Sequence, residues 1–148
     1  MVWACFSYHG IGKLYRIHNM MNAKVYHMIL RSQMFPSADR LFLDSPWVFQ
    51  QDNDPKHKSQ LVQRYLASKD VNVMEWPSQS PDLNPIENLW SKLESNLKMR
   101  DCNTEDNLME ILQEGWDQLD PNYLKKLVES MPRRCRAVIK AGGKSTKY

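Results

Sequence analysis

The sequence predicts an α/β fold, a partly parallel sheet flanked by helices with a helical layer at its C-terminal end. Three observations predict it. Short runs rich in β-branched and aromatic residues alternate with runs of helical periodicity in the first half of the chain. The second half carries only helical periodicity. At 148 residues, 25% of them charged and 42% hydrophobic, the chain has the size and composition of one globular domain with a core.

The elements follow in order. "VWACFSY" and "KLYRI" read as two strands joined through "HGIG" in a glycine-containing hairpin. From Asn22, a candidate N-cap, Val25, Tyr26, Ile29 and Leu30 have helical spacing. "SPWVFQQD" reads as a strand entered through Pro46 and ending at Asp52. After the turn "NDPKH", Leu61, Val62, Tyr65 and Leu66 mark a helix. "VNVMEW", Val71 to Trp76, is a short strand stopped by Pro77. The loop "PSQSPDLNP" leads into an amphipathic helix of Ile86, Leu89, Trp90, Leu93 and Leu97. Leu108, Ile111, Leu112, Trp116 and Leu119 make a second helix, ended at Asp120-Pro121. Tyr123, Leu124, Leu127 and Val128 make a third, and a short one from near Pro132 ends at Gly142-Gly143.

Composition narrows the function classes. No apolar run approaches the length of a membrane span, so no membrane partner is expected. "MVWACFSYHG" lacks the basic start of a secretory signal. Cys5, Cys102 and Cys135 form neither a disulfide framework nor a zinc pattern, the usage expected in a reducing compartment. Net charge is only +3, but from Ser130 to Tyr148 there is no acid, while Arg133, Arg134, Arg136, Lys140, Lys144 and Lys147 all fall there. Such a segment suits phosphates, or is simply a solvated tail.

Two acidic stretches carry the candidate chemistry. "FQQDNDPKHKS" places Asp52 at the carboxyl end of a strand, where sites form in open α/β sheets. "SPDLNPIENLW" places Glu87 in the first turn of the helix after the last strand. Carboxylates converging from these two points suit Mg²⁺, which takes few carboxylates and keeps water and phosphate oxygens as its other ligands. Plainer readings stand beside this one. Asn84, Pro85 and Glu87 have the spacing of a capping box, with Asn in place of Ser or Thr. Asp52 and Asp54 suit a turn before Pro55. His57, Lys56 and Lys58 suit a solvated surface, and Trp76 and Trp90 suit a core.

"FQQDNDPKHKS" together with "VMEWPSQSPDLNPIENLWSKLE" closely resembles the catalytic domain of mariner-type DNA transposases. The resemblance runs from "MVWACFS" to "KSTKY". It implies an RNase H-like mixed sheet flanked by helices, and an Asp, Asp, Glu triad. In the branch that this chain resembles, 34 residues separate the second Asp from the Glu; here 87 − 52 = 35 leaves 34 between. Residue by residue, Asp52 corresponds to the second acid and Glu87 to the third, both as catalytic groups and as ligands of Mg²⁺ or Mn²⁺. DNA contacts are expected from Lys56, His57, Lys58, Arg133, Arg134, Arg136 and Lys140. The family reaction is metal-dependent cleavage at transposon ends followed by strand transfer, with transposon DNA and a further transposase chain as partners and the nucleus as location.

The first triad Asp of such enzymes lies on a strand upstream of "MVWACFS", beyond a paired helix-turn-helix region. Neither matches anything in the 148 residues. The resemblance therefore implies a partial domain over 1–148, with a core over about 1–100 and a helical part over about 101–148. Its sheet is expected to be incomplete at the N-terminus, lacking the first, central strand. Asp44, Asp54 and Asp82 are near in sequence, but none resembles the missing acid. The expectation is a transposase catalytic domain inactive alone; the alternative is a non-catalytic relic that binds DNA or an intact transposase.

Overall fold

The computed structural model describes residues 1–98, 100 and 102–148. It begins with an antiparallel hairpin of β1 (Val2–Ser7) and β2 (Gly10–Arg16). Its register shifts between Ala4 and Phe6, a bulge at Cys5. Gly12 faces that bulge, and a Cβ there would collide with the Cys5 sulfur and crowd its carbonyl. The bare backbone lets the buried Trp116 indole donate to the Gly12 carbonyl at 2.9 Å, tying the hairpin to a helix 104 residues away.

Helix α1 (Ala23–Ile29) begins where the sequence predicts. The Asn22 side chain accepts from the amides of Lys24 and Val25 at 2.9 and 3.0 Å. The helix does not stop near Leu30 but runs through a wide π turn, Leu30–Met34, into α2 (Phe35–Phe42). Pro36 explains the wide turn. Its ring lacks an N–H and crowds the carbonyl four residues back, so the ladder shifts and the Phe35 amide reaches the Leu30 carbonyl instead.

The next two strands are shorter than the sequence predicts. Instead of running to Asp52, β3 is only Val48–Phe49. Instead of running to Trp76, β4 is only Asn72–Val73. They pair with each other in parallel, across helix α3 (Gln60–Ser68), which Ser59 caps at the Val62 amide. Among the described residues the hairpin and this parallel pair remain two separate two-stranded sheets. Among the described residues β3 pairs only with β4 over two residues, and Gln50 to Asp52 continue beyond that ladder without strand pairing.

After a short 3₁₀ turn, Pro81–Leu83, come α4 (Ile86–Leu97), α5 (Glu105–Asp117), α6 (Pro121–Glu129) and α7 (Met131–Lys140). Thr104 and Asp120 cap α5 and α6 through their side chains. Two glycines end α7: Gly142 and Gly143 have φ of 63° and 80°, and their amides bond back to Ile139 and Val138. The hairpin is covered on both faces. On one, Ala4 and Leu14 pack with Leu89, Leu93, Trp116, Leu119, Leu124 and Leu127. On the other, Trp3 packs against a cluster of Tyr26, Leu30, Met34, Ala38, Val62 and Leu66. Among the described residues no helix is long and apolar enough to cross a membrane.

One polar clamp fixes the start of α4. Arg134, on α7, is 2% exposed. Its guanidinium donates to the Asp82 carbonyl at 2.9 Å, Asn88 Oδ1 at 2.6 Å and Ser130 Oγ at 2.8 Å, and the Tyr148 ring lies over it at 5.1 Å. The Asp82 carboxylate, also buried, accepts from the amide and hydroxyl of Thr146 at 3.0 and 2.8 Å. Replacing Arg134 with Met removes a cation whose acceptors stay buried. Thermal or urea unfolding of Arg134→Met should show a loss of about 3 kcal/mol. A melt equal to the parent's would show that the clamp contributes nothing.

Candidate active site

Asp52 follows β3 on extended chain and starts a turn. Its Oδ1 accepts from the Asp54 amide at 3.1 Å and lies 2.6 Å from His57 Nδ1. Its Oδ2 takes no hydrogen bond among the described residues. Asp54 turns away to Lys56: its carboxylate accepts from the Lys56 amide at 2.9 Å and pairs with the Lys56 ammonium at 2.6 Å. That ammonium, through its hydrogen bond, holds the Asp54 carboxyl below its usual range. Between these acids, Asn53 donates through its amide to the Trp76 carbonyl at 2.6 Å. This bond staples the Asp52 turn to the loop that leads to Glu87.

Glu87 sits in the first turn of α4. The capping-box reading fails on geometry. The Asn84 amide, which a capping Glu would have to accept from, already donates to the Pro81 carbonyl at 2.9 Å. Asn84 does cap weakly in the forward direction, its Oδ1 accepting from the Ile86 amide at 3.4 Å. The Glu87 carboxylate takes no hydrogen bond among the described residues. It faces an open cavity of about 320 Å³ that Asp52, Asn53, Asp54, Trp76 and Asn84 also line. Desolvation by the cavity walls, and then the nearby Asp52 charge, raise its pKa above the ordinary value.

The structure thus brings Asp52 and Glu87 to one cavity from two separate elements. Asp54 is there too, but committed to Lys56. Asp82 is buried in the Arg134 clamp, and Asp44 lines a different cavity beside Trp47 and Lys69. No group of three or more His, Cys, Asp or Glu among the described residues is disposed to hold a metal ion. The Glu87 carboxylate and the unbonded Oδ2 of Asp52 do fit Mg²⁺, which commonly takes one or two carboxylates and completes its shell with water and phosphate. A cation between the two acids would offset both the desolvation and the Asp52 charge that raise Glu87.

The expected DNA contacts divide. Lys58, Arg133, Arg136 and Lys140 are exposed. Arg134 is not available: its guanidinium is spent inside the fold, because Asp82, Asn88 and Ser130 need a donor there. His57 is not available either. Its side chain is 12% exposed, one ring nitrogen is on Asp52, and the other is buried. Lys56 is half-buried on Asp54. Trp90 is a packing residue, stacked on Trp116 at 5.7 Å, whereas Trp76 forms a wall of the cavity. Reading the sequence also missed Asn53. An Asn in a turn looks like any other, and only the return of the chain at Trp76 shows what it binds.

A family model for DDE superfamily endonucleases matches residues 2–109. The Tcb1 transposase of Caenorhabditis briggsae is 48% identical over 148 residues, all of this chain and 54% of the relative. The Tc1 transposase of Caenorhabditis elegans is 43% identical over the same span. The chain therefore spans about half the length of the curated relatives it matches. Among solved structures, the Mos1 transposase catalytic domain with raltegravir and Mg superposes with a TM-score of 0.86 at 20% identity, over 99% of this chain and 75% of that one. A Mos1 mariner paired-end complex with Mn also gives 0.86, over 99% of this chain and 44% of that one. The fold is that of the RNase H-like transposase catalytic domain, and the chain belongs to the DDE superfamily endonuclease family.

Proposed function

We propose that the Asp52–Glu87 cavity is two thirds of a divalent-metal site for DNA phosphodiester cleavage and strand transfer, in the catalytic domain of a Tc1/mariner-type transposase. The observation that carries this reading is the pairing of two unbonded carboxylate oxygens across one cavity, close enough for the Asp52 charge to raise Glu87. Asp52 Oδ2 and Glu87 are the groups that would hold Mg²⁺ or Mn²⁺. A bound metal there supplies Lewis-acid activation of the attacking and leaving oxygens. The chain's own part is to hold the two carboxylates at fixed separation, through the Asn53 staple and the Arg134 clamp, and to bind the DNA backbone. Lys58, Arg133, Arg136 and Lys140 are exposed cations suited to that. A DNA substrate makes the nucleus the expected place of action. Of the acids lining the cavity, Asp54 is paired with Lys56, so the described residues offer two ligands where the triad has three. On its own the chain is expected to bind metal weakly and leave DNA uncut.

The main test joins this chain to the preceding half of the Tcb1 transposase. Cleavage at transposon ends should occur in that chimera and disappear in Asp52→Asn and Glu87→Gln. A chimera that cleaves equally well with Asp52→Asn would refute the assignment. In the 148-residue chain itself, each substitution should weaken Mn²⁺ binding by about tenfold or more, read by the electron paramagnetic resonance of free Mn²⁺.

Stability gives an independent check. Glu87 has a raised pKa in the folded chain, so its ionised form opposes folding. That penalty is fully present above the raised value and absent below the unfolded value, near 4.5. Metal-free Glu87→Gln should therefore melt above the parent at pH 7, and the gap should close as pH falls through 4. A gap that widens in acid would contradict the assigned sign.

DNA binding by the isolated chain should be independent of sequence and fall steeply with salt. Replacing Arg133, Arg136 and Lys140 together should lower the salt slope by about three. An unchanged slope would exclude α7 from the interface.

A further inference from the structure

We propose that His57 is a positioning residue for Asp52: it holds one carboxylate oxygen and so presents the other, Oδ2, to a divalent cation. This rests on the reading of Asp52 as a metal ligand and goes beyond it, since His57 was expected to contact DNA. The His57 ring cannot turn freely. It lies against the Tyr26 ring at 4.0 Å between centroids, with 33° between the planes. Tyr26 is itself 1% exposed, and its hydroxyl donates to Gln51 Oε1 at 2.7 Å. Gln51 and Asp52 are thus both anchored to this aromatic pair, on adjacent residues.

The proton on the ring can be assigned from the partners. Nδ1 is 2.6 Å from Asp52 Oδ1, an acceptor, so Nδ1 carries a hydrogen. Nε2 is buried with no partner among the described residues. A second N–H there would be a buried unsatisfied donor, which costs more than a bare lone pair against apolar surface. On this geometry the ring is assigned as the Nδ1–H tautomer. With the Asp54 amide it places two donors on Oδ1 and none on Oδ2. A carboxylate fixed by one oxygen loses less rotamer freedom when the other meets a cation, which is how partners behind a metal ligand raise affinity.

The test uses the full 148-residue chain, Mn²⁺ as the probe, and three variants. His57→Phe keeps a ring and loses the donor. His57→Asn places an amide N–H where Nδ1 was, and His57→Gln places one where Nε2 was. Phe should cost about tenfold or more in Mn²⁺ affinity, Asn should recover most of the loss, and Gln should not. A role in folding alone would order affinity with melting temperature; positioning orders it with the place of the donor. The ¹⁵N shifts of the His57 imidazole in metal-free chain should show the Nδ1–H tautomer and should change in Asp52→Asn. The proposal is overturned if Phe binds Mn²⁺ like the parent, if Gln rescues better than Asn, or if the imidazole is the Nε2–H tautomer. Asp52→Asn separates the two levels. If it binds Mn²⁺ like the parent, or if the parent binds none, the metal reading fails and this proposal with it. If Asp52→Asn loses Mn²⁺ while His57→Phe keeps it, only the positioning role fails.

Discussion

The Arg134 guanidinium is the contact on which the geometry of the site depends. A buried cation is expensive unless its N–H groups find acceptors, and here each of its three nitrogens donates to a different segment: the Asp82 carbonyl, Asn88 and Ser130. Asn88 is the residue after Glu87. The clamp therefore fixes the axis and rotation of α4 at the one turn that carries a candidate ligand. It also explains why a basic segment on the last helix is not simply an electrostatic surface. One of its arginines faces inward while its neighbours Arg133 and Arg136 face out.

A second constraint works against the first. Burial of Glu87 in the cavity wall, and then the Asp52 charge nearby, both disfavour its ionised form and raise its pKa. A fold optimised for stability alone would have paired Glu87 with a cation or bonded it to its own helix end. The neighbouring Asp54 shows what that looks like, with Lys56 on one oxygen and an amide on the other. The contrast between Asp54 and Glu87, acids on the rim of one cavity, is the physical ground for giving them different roles.

Much of this was legible in the sequence. Helices α1, α3, α4, α5 and α6 follow from their apolar periods, and the cap at Asn22 follows from side-chain chemistry that acts within two or three residues; α2, which continues α1 through the π turn, carries no such separate signal. The hairpin was readable because "HGIG" is a local signal. The strand lengths at β3 and β4 were not. Strand length depends on pairing partners, and partners are set far away in the chain. The two acids were visible as types and as a spacing, but the choice between cap and ligand for Glu87 turned on a single amide, that of Asn84, and where it donates. Arg134 was misread because composition counts charges without saying which way they point. Nothing local marks an arginine whose acceptors lie 46 and 52 residues earlier.

The Asn53–Trp76 staple has a consequence for length. Together with the β3–β4 pair it closes a circuit: out along α3 and back to the same wall of the cavity. Both ends of that circuit are pinned, so α3 behaves as a gear between them. Each residue added to or removed from a helix turns everything beyond it by roughly 100° and shifts it by about 1.5 Å. A single insertion in Gln60–Ser68 would swing Asn72 and Val73 off their partners and carry the loop toward Glu87 out of reach of Asn53. The number of residues between Asp52 and Glu87 is in this sense a machined dimension of the part. The chain tolerates exchanges of side chain along α3 far better than any change in the count.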